Sequence, residues 1–285
     1  MSKKKNAHAE LSESAVKPSK HKKGLLYIIR RVFVTTALII VTLVVGTTAF
    51  FITLHFMAES STYRASSAEN ASIREIAGKL SMEGDLLPES EESENMQEHG
   101  FIQLSSFDAE MLQINPDYVC WISIDGTRVD HPVVRGDDND KYINTSFYGE
   151  VNDLGAVFMD CRNVTGSFDN IIIYGHNSRQ GEMFGDLHLL RDKQFFDEHR
   201  IITIKVNNSI FEYEIFSVRL TNINDPAYTV FFDSHNDFYD FADNNGAPLH
   251  ATQILTLSTC VSRGNENARL IVQAYALSGE IAFGY

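Results

Sequence analysis

The sequence predicts a mainly β domain, a sandwich or barrel of eight short strands with short peripheral helices, carried behind a single N-terminal transmembrane helix. Three observations predict it. After residue 101 the chain alternates β-rich runs with turn-forming residues, and eight such runs can be counted. Residues 32–54 form an apolar run of 23 residues without one charge. The formal charge of −14 is unevenly divided: residues 1–31 carry nine Lys and Arg against two Glu, leaving 15 basic and 36 acidic residues beyond them. An acidic bulk of this kind argues against nucleic acid as a partner, because phosphate binding needs a basic face. With 44% hydrophobic and 11% aromatic residues there is ample material for a core.

In chain order, residues 1–31 read as a basic cytoplasmic tail and 32–54 as the membrane span. About 20 apolar residues suffice to cross the hydrocarbon, and Lys20, Lys22, Lys23, Arg30 and Arg31 flank only one side, which places the C-terminal bulk outside the cell. A cleaved signal peptide is the competing reading, but its apolar region runs to only about 7–15 residues and the Ala-x-Ala-like cleavage signals here are weak. Residues 55–100 read as a juxtamembrane helix, with helix-favouring residues over 72–80, followed by an acidic linker at Pro88-Glu89-Ser90-Glu91-Glu92-Ser93-Glu94 whose like charges support no packed core. Residues 101–285 form the extracellular globular domain.

Within it, an amphipathic segment over 104–114 is stopped by Asn115-Pro116. The strands fall at 118–124, 131–134, 156–159, 170–174, 201–206, 210–220, 253–258 and 269–277. Residues 182–190 and 234–243 read as short helices, the first with Met183, Leu187 and Leu190 as a packing stripe. No glycine-rich phosphate loop or Gly-x-Ser-x-Gly elbow is present. The three cysteines, at 120, 161 and 260, are too dispersed for a disulfide scaffold or a metal site, and small buried thiols are the simplest reading of Cys120 and Cys161. No cofactor or metal is expected.

The chemistry points to two strand ends. Ile254-Leu255-Thr256-Leu257-Ser258-Thr259-Cys260 alternates like a half-buried strand and delivers a thiol to its end. If it pairs antiparallel with the run that restarts at Arg269, the two residues face each other across about 4.5–5.5 Å. His176 ends a second strand, ahead of the polar loop Asn177-Ser178-Arg179-Gln180-Gly181. An ordinary thiol with a pKa near about 8.5 is only slightly ionised at pH 7, so a neighbouring imidazole or guanidinium must supply the thiolate. Thiol, imidazole and guanidinium divide the labour of acyl transfer: attack, proton handling and oxyanion stabilisation.

At these residues the chain resembles the class B sortases, membrane-anchored cysteine transpeptidases of Gram-positive bacteria. Thr256-Leu257-Ser258-Thr259-Cys260 matches the family's Thr-Leu-x-Thr-Cys strand, Tyr174-Gly175-His176-Asn177 the stretch with its catalytic His, and Arg269 its catalytic Arg. Similarity extends through Ile114-Asn115-Pro116-Asp117, His131-Pro132-Val133-Val134, Asp138-Asn139-Asp140-Lys141-Tyr142 and Met183-Phe184-Gly185-Asp186-Leu187, spanning residues 104–277. The resemblance implies an eight-stranded sortase-type β-barrel. It implies that Cys260 attacks the carbonyl after the Thr of a C-terminal sorting motif in a secreted protein, and that an amine of a peptidoglycan precursor or cross-bridge resolves the thioester. It also implies that Ser258, Thr259, Asn139, Ile143 and Tyr228 line the substrate groove, and the backbone N–H of Val261 is placed to share the oxyanion with Arg269.

Two other classes compete. A membrane-anchored cysteine peptidase or hydrolase would lack wall transfer, and the papain arrangement in particular puts Cys before His and on a helix, the reverse of the order here. A non-catalytic binding domain would have no need of His176, Cys260 and Arg269 together.

Overall fold

In the computed structural model, which describes residues 20–84, 105–163, 166–167, 169–178, 180–261, 267–277 and 279–283, the chain forms two compact units, Met1–Glu59 and Ser60–Tyr285. The acidic run at residues 88–94 lies outside the described residues. A single helix, α1 (Lys20–Gly84), contributes to both units. Its stretch Gly24–Met57, 34 residues with an 18-residue window at a mean hydropathy of 2.4, is long and apolar enough to cross a bilayer. Every side chain from 24 to 57 is exposed, the opposite of a soluble core helix. The threonine hydroxyls there bond back to carbonyls of the preceding turn, as Thr42 does to Leu38 at 2.8 Å, so these hydroxyls are satisfied within the helix.

Among the described residues the second unit has ten strands: β1 (Tyr118–Ile124), β2 (Asp130–Val134), β3 (Val157–Met159), β4 (Gly166–Ser167), β5 (Asn170–Tyr174), β6 (Ile201–Val206), β7 (Ser209–Asn222), β8 (Ile254–Cys260), β9 (Ala268–Ala276) and β10 (Ala282–Phe283). Eight of them close into a barrel in the order β1-β2-β3-β5-β8-β9-β7-β6, with β6 returning to β1. These are the eight runs read from the sequence, with ends shifted by no more than two residues. Two-residue strands carry no periodicity, and the separate β4–β10 pair had no such signal.

The barrel interior is filled by alternate residues, among them Val133, Ile171, Ile173, Leu255, Leu257, Leu270 and Val272. Helix α2 (Ser106–Ile114) starts where the Ser105 side chain accepts the Asp108 N–H and ends at Asn115, before Pro116. Helix α3 (Lys193–Glu198) follows the loop after β5, and α4 (His235–Asn244) is capped by Ser234, close to the helix expected over 234–243. The helix expected over 182–190 is instead a 3₁₀ segment, Gly185–Arg191. Gly181 at φ +85° and Met183 at φ +53° are left-handed and admit no helix before Phe184. Met183, Leu187 and Leu190 are core residues, as the stripe implied.

Residues 63–80 of α1 pack on the barrel rather than standing apart as a stalk. Ile73 and Ala77, at i,i+4 spacing, join Met111, Tyr118, Trp121, Tyr142, Phe147 and Phe158 in a second apolar cluster.

Candidate active site

Strand β8 is not half-buried: of its seven residues, six are buried. One face, Leu255 and Leu257, enters the barrel core. The other is covered from outside. Ile254 lies under α4, Thr256 accepts no solvent and donates to Asn170 Oδ1 at 2.9 Å, and Ser258 meets the Tyr228 hydroxyl at 2.8 Å. Cys260 is the next residue on that outer face and it is exposed, because the cover ends one step before it.

Topology brings the other two residues to the same place. β9 pairs antiparallel with β8, and Cys260 stands directly opposite Arg269. β5 pairs parallel with β8, Tyr174 opposite Ser258, and the Gly175 N–H continues the ladder to the Ser258 carbonyl at 3.2 Å. Parallel neighbours end together, so the chain after Tyr174, with His176, leaves the sheet at the same end as Cys260.

The imidazole is oriented by backbone. His176 Nε2 lies 2.7 Å from the Ile143 carbonyl oxygen. A carbonyl only accepts, so Nε2 carries the proton and Nδ1 is the nitrogen left to exchange one. Asn177 Nδ2 donates to the Val261 carbonyl at 3.2 Å and meets His188 Nε2 at 3.1 Å, tying the loop after β5 to the residue after Cys260. Arg269 Nη1 donates to the Ala268 carbonyl at 3.1 Å, one of the five donors an arginine carries.

A second network carries the wall beside the thiol. Asp160, with no exposed surface, accepts from Arg162 Nε and Nη2 and from the Tyr174 hydroxyl, each at 2.8 Å. Burial alone would raise this carboxyl, but the Arg162 and Tyr174 hydrogen bonds hold it below the usual carboxylate range. Tyr174 lies nearly parallel to Tyr228, at 15° and 6.3 Å between centroids, and Arg162 Nη2 also donates to the Tyr228 carbonyl at 3.1 Å. Burial raises the Tyr228 hydroxyl above its ordinary value while its bond to Ser258 and the charge of Arg269 oppose the rise, so it stays protonated in reach of the site.

Of the groove residues read from sequence, Ser258 and Tyr228 share the outer face of Cys260. Thr259 does not: successive strand residues point to opposite faces, and its side chain, 2% exposed, faces inward with Leu257 and Leu270. Ile143 reaches the site through its carbonyl. Asn139 Oδ1 accepts the Cys161 N–H at 2.8 Å, which sets it beside the Asp160 cluster. The Val261 N–H is directed at the Ala268 carbonyl at 3.4 Å, in the strand ladder, and not into the site as the sequence reading expected. Asp160, Arg162 and Asn177 went unremarked as functional in the sequence, although the pairing of Asp160 with Arg162 at i,i+2 beside a strand end was visible. Cys120 and Cys161 are free thiols, and burial pushes both up, leaving Cys260 as the exposed thiol of the three. Among the described residues no cluster of His, Cys, Asp or Glu is arranged to hold a metal.

Residues 122–277 match the family model of the sortase domain. The chain is 31% identical over 175 residues to sortase B of Listeria monocytogenes, covering 58% of this chain and 71% of that protein. The structure of Clostridium perfringens sortase B superposes with a TM-score of 0.56 at 30% identity, covering 60% of this chain and all of that one. A Staphylococcus aureus sortase B–substrate complex gives 0.62 at 26% identity, over 74% of this chain and 97% of that one. The chain belongs to the sortase family and, within it, to the class B sortases, cysteine transpeptidases that anchor proteins to the cell wall.

Proposed function

We propose that Cys260, His176 and Arg269 carry out the transpeptidation. What supports this most is the register: Cys260 stands opposite Arg269 across β8 and β9, and β5, which leads into His176, runs parallel beside β8 as far as Ser258, with Cys260 the point where the cover of β8 stops. His176 Nδ1 takes the proton of the Cys260 thiol, the resulting thiolate attacks the carbonyl following the Thr of a C-terminal sorting motif, and Arg269 donates to the oxygen as it becomes negative. The C–N bond breaks as His176 delivers a proton from Nδ1 to the departing amine, leaving a thioester on Cys260. An amine of a peptidoglycan precursor or cross-bridge then attacks, gives its proton to Nδ1 and expels the thiolate. Ser258, Tyr228, Asn139 and Ile143 are assigned to the groove that seats the motif.

In the same reading, residues 32–54 anchor the protein in membrane lipid with the basic tail 1–31 in the cytoplasm, and the barrel works outside the cell on secreted proteins. The barrel lies in a compact unit that spans Ser60–Tyr285, with residues from 63–80 contributing to its apolar packing.

The test is full-length protein in detergent, presented with peptides bearing Asn-Pro-x-Thr-type, Ser-initiated or Pro-initiated sorting motifs, with and without a glycine- or diamino-acid-ended amine. The expected result is cleavage after Thr for one motif class, with a new amide formed when amine is present. Cleavage that yields only hydrolysis product at every amine concentration would reassign the protein as a cysteine peptidase, and absence of cleavage for all motifs would reassign it as a binding domain.

A further inference from the structure

Two loops fasten His176, one at its backbone and one at its ring, and both are tied to the same helix. The first loop follows β5. The Phe184 N–H donates to the His176 carbonyl at 3.0 Å, and the Phe184 ring packs so closely on Gly175 that a Cβ there would lie 2.7 Å from it. Phe184 is placed by Met183, left-handed at φ +53° and bridged to Asn177. Such a backbone persists only where its surroundings over-determine it. Immediately before it stands Glu182, 6% exposed, which accepts from Arg74 Nη2 at 3.1 Å and from Ser67 Oγ at 3.3 Å. Both donors belong to α1.

The second loop lies between β2 and β3 and carries the Ile143 carbonyl that holds Nε2. Its shape is set by Asn152: the Asn152 N–H donates to the Asn144 carbonyl at 3.0 Å, its Oδ1 accepts the Leu154 N–H at 2.8 Å, and its carbonyl accepts the Gly155 N–H at 2.9 Å. Gly155, at φ +57°, sits so close beneath the turn that a Cβ there would be 2.4 Å from the Ile143 oxygen. The Asn152 side chain in turn accepts from Ser66 Oγ at 2.6 Å and donates to Glu69 Oε2 at 3.1 Å. These residues again belong to α1.

We propose that residues 66–74 of α1 are a positioning element of the active site: Arg74 and Ser67 acting through Glu182, and Ser66 and Glu69 acting through Asn152, hold the two loops that orient His176. The inference rests on the assignment of His176 above and deepens it. The juxtamembrane helix then does more than space the barrel from the membrane. None of its residues touches substrate, and their effect is on which imidazole nitrogen is presented to Cys260 and at what angle.

The experiment uses the full chain in detergent, as wild type, Arg74→Ala, Asn152→Ala, the double variant, Arg74→Lys, and Lys79→Ala as control. Lys79 is on the same helix but pairs with Glu75 in solvent. Two readouts are taken: nitrogen-15 spectra of the His176 ring, identified by its loss in His176→Gln, and steady-state transfer kinetics. In wild type the ring is the Nε2–H tautomer. Arg74→Ala and Asn152→Ala are expected to give a mixed tautomer and to lower kcat by about 10- to 100-fold, the range for misplacing a catalytic group, with the donor-peptide KM within about twofold. Arg74→Lys restores part of the loss and Lys79→Ala changes neither readout. An unaltered ring signal in the double variant overturns the proposal, as does a kcat that falls only in proportion to the folded fraction. The ring signal is read in the free enzyme, so this outcome is separate from whether Cys260 forms a thioester.

Discussion

Replacing Cys260 with alanine is expected to lower peptide cleavage and transfer by about 10⁴-fold or more, to the level of the uncatalysed reaction, because the variant has no atom with which to form the covalent intermediate. The thiol is exposed at a strand end, so its removal leaves no buried cavity. Stability is therefore expected to stay within about 0.5 kcal/mol of wild type. Separation of peptide fragments by chromatography measures the first quantity and thermal unfolding the second. Cleavage at the wild-type rate would contradict the assignment of the nucleophile, and a collapse of stability would mean that Cys260 is a packing residue. Neither Cys120 nor Cys161 is expected to substitute, since burial pushes both thiols up, away from the thiolate form, and Cys120 is enclosed in the core.

Exchanging Arg269 for lysine is expected to cost about 10²- to 10³-fold in kcat, the range seen when an oxyanion donor is removed. The substitution keeps the positive charge and loses the planar fork. One guanidinium nitrogen is already committed to the Ala268 carbonyl, and that bond sets the plane in which the remaining donors lie. An ammonium carries its three donors on one nitrogen at the end of a flexible stem and lacks the rigid fork that fixes the direction of one donor while another bonds the carbonyl. If Arg269 acted only through its field on the Cys260 thiol, lysine would be nearly as good. Equal kcat for the two enzymes would therefore reject the geometric role. The split between kcat and KM matters here, because an oxyanion contact exists only in the transition state and its loss should leave peptide binding almost unchanged.

Much of this site is legible in the sequence because its residues sit at strand ends, where periodicity stops and chemistry begins. The alternation through Leu255 and Leu257 locates β8, and the polar break after it fixes Cys260 and Arg269 as neighbours in an antiparallel pair. His176 follows from the same reasoning on β5. What was not legible involves groups without a sequence signature. The Ile143 carbonyl orients His176, yet backbone oxygens are present at every position and no residue type announces one. Thr259 lies on the inner face although it is adjacent to the nucleophile, and the period of two that predicts the strand also predicts this once the core face is known.

The docking of α1 was hidden for a related reason. Ile73, Ile76, Ala77 and Leu80 fall at i, i+3, i+4 and i+7, the spacing of a packed helix face, but one short stripe does not say what covers it. The tie from Arg74 to Glu182 joins residues 108 apart in sequence, and only the folded barrel brings them within 3.1 Å. Met183 is similar: a methionine gives no warning of a left-handed backbone, which is imposed here by burial of its side chain in the core and by its bridge to Asn177.

The central claim is that Cys260 forms a covalent bond to the sorting peptide. It is tested most directly by intact-protein mass spectrometry of the full chain after incubation with a cleaved donor peptide and no amine, followed by fragmentation to locate the adduct. The expected result is a mass increase equal to the donor residues up to and including Thr, located on Cys260, absent from Cys260→Ala, and discharged when amine is added. An adduct at Cys120 or Cys161, or steady turnover with an unmodified Cys260 in wild type and undiminished turnover in Cys260→Ala, would contradict it.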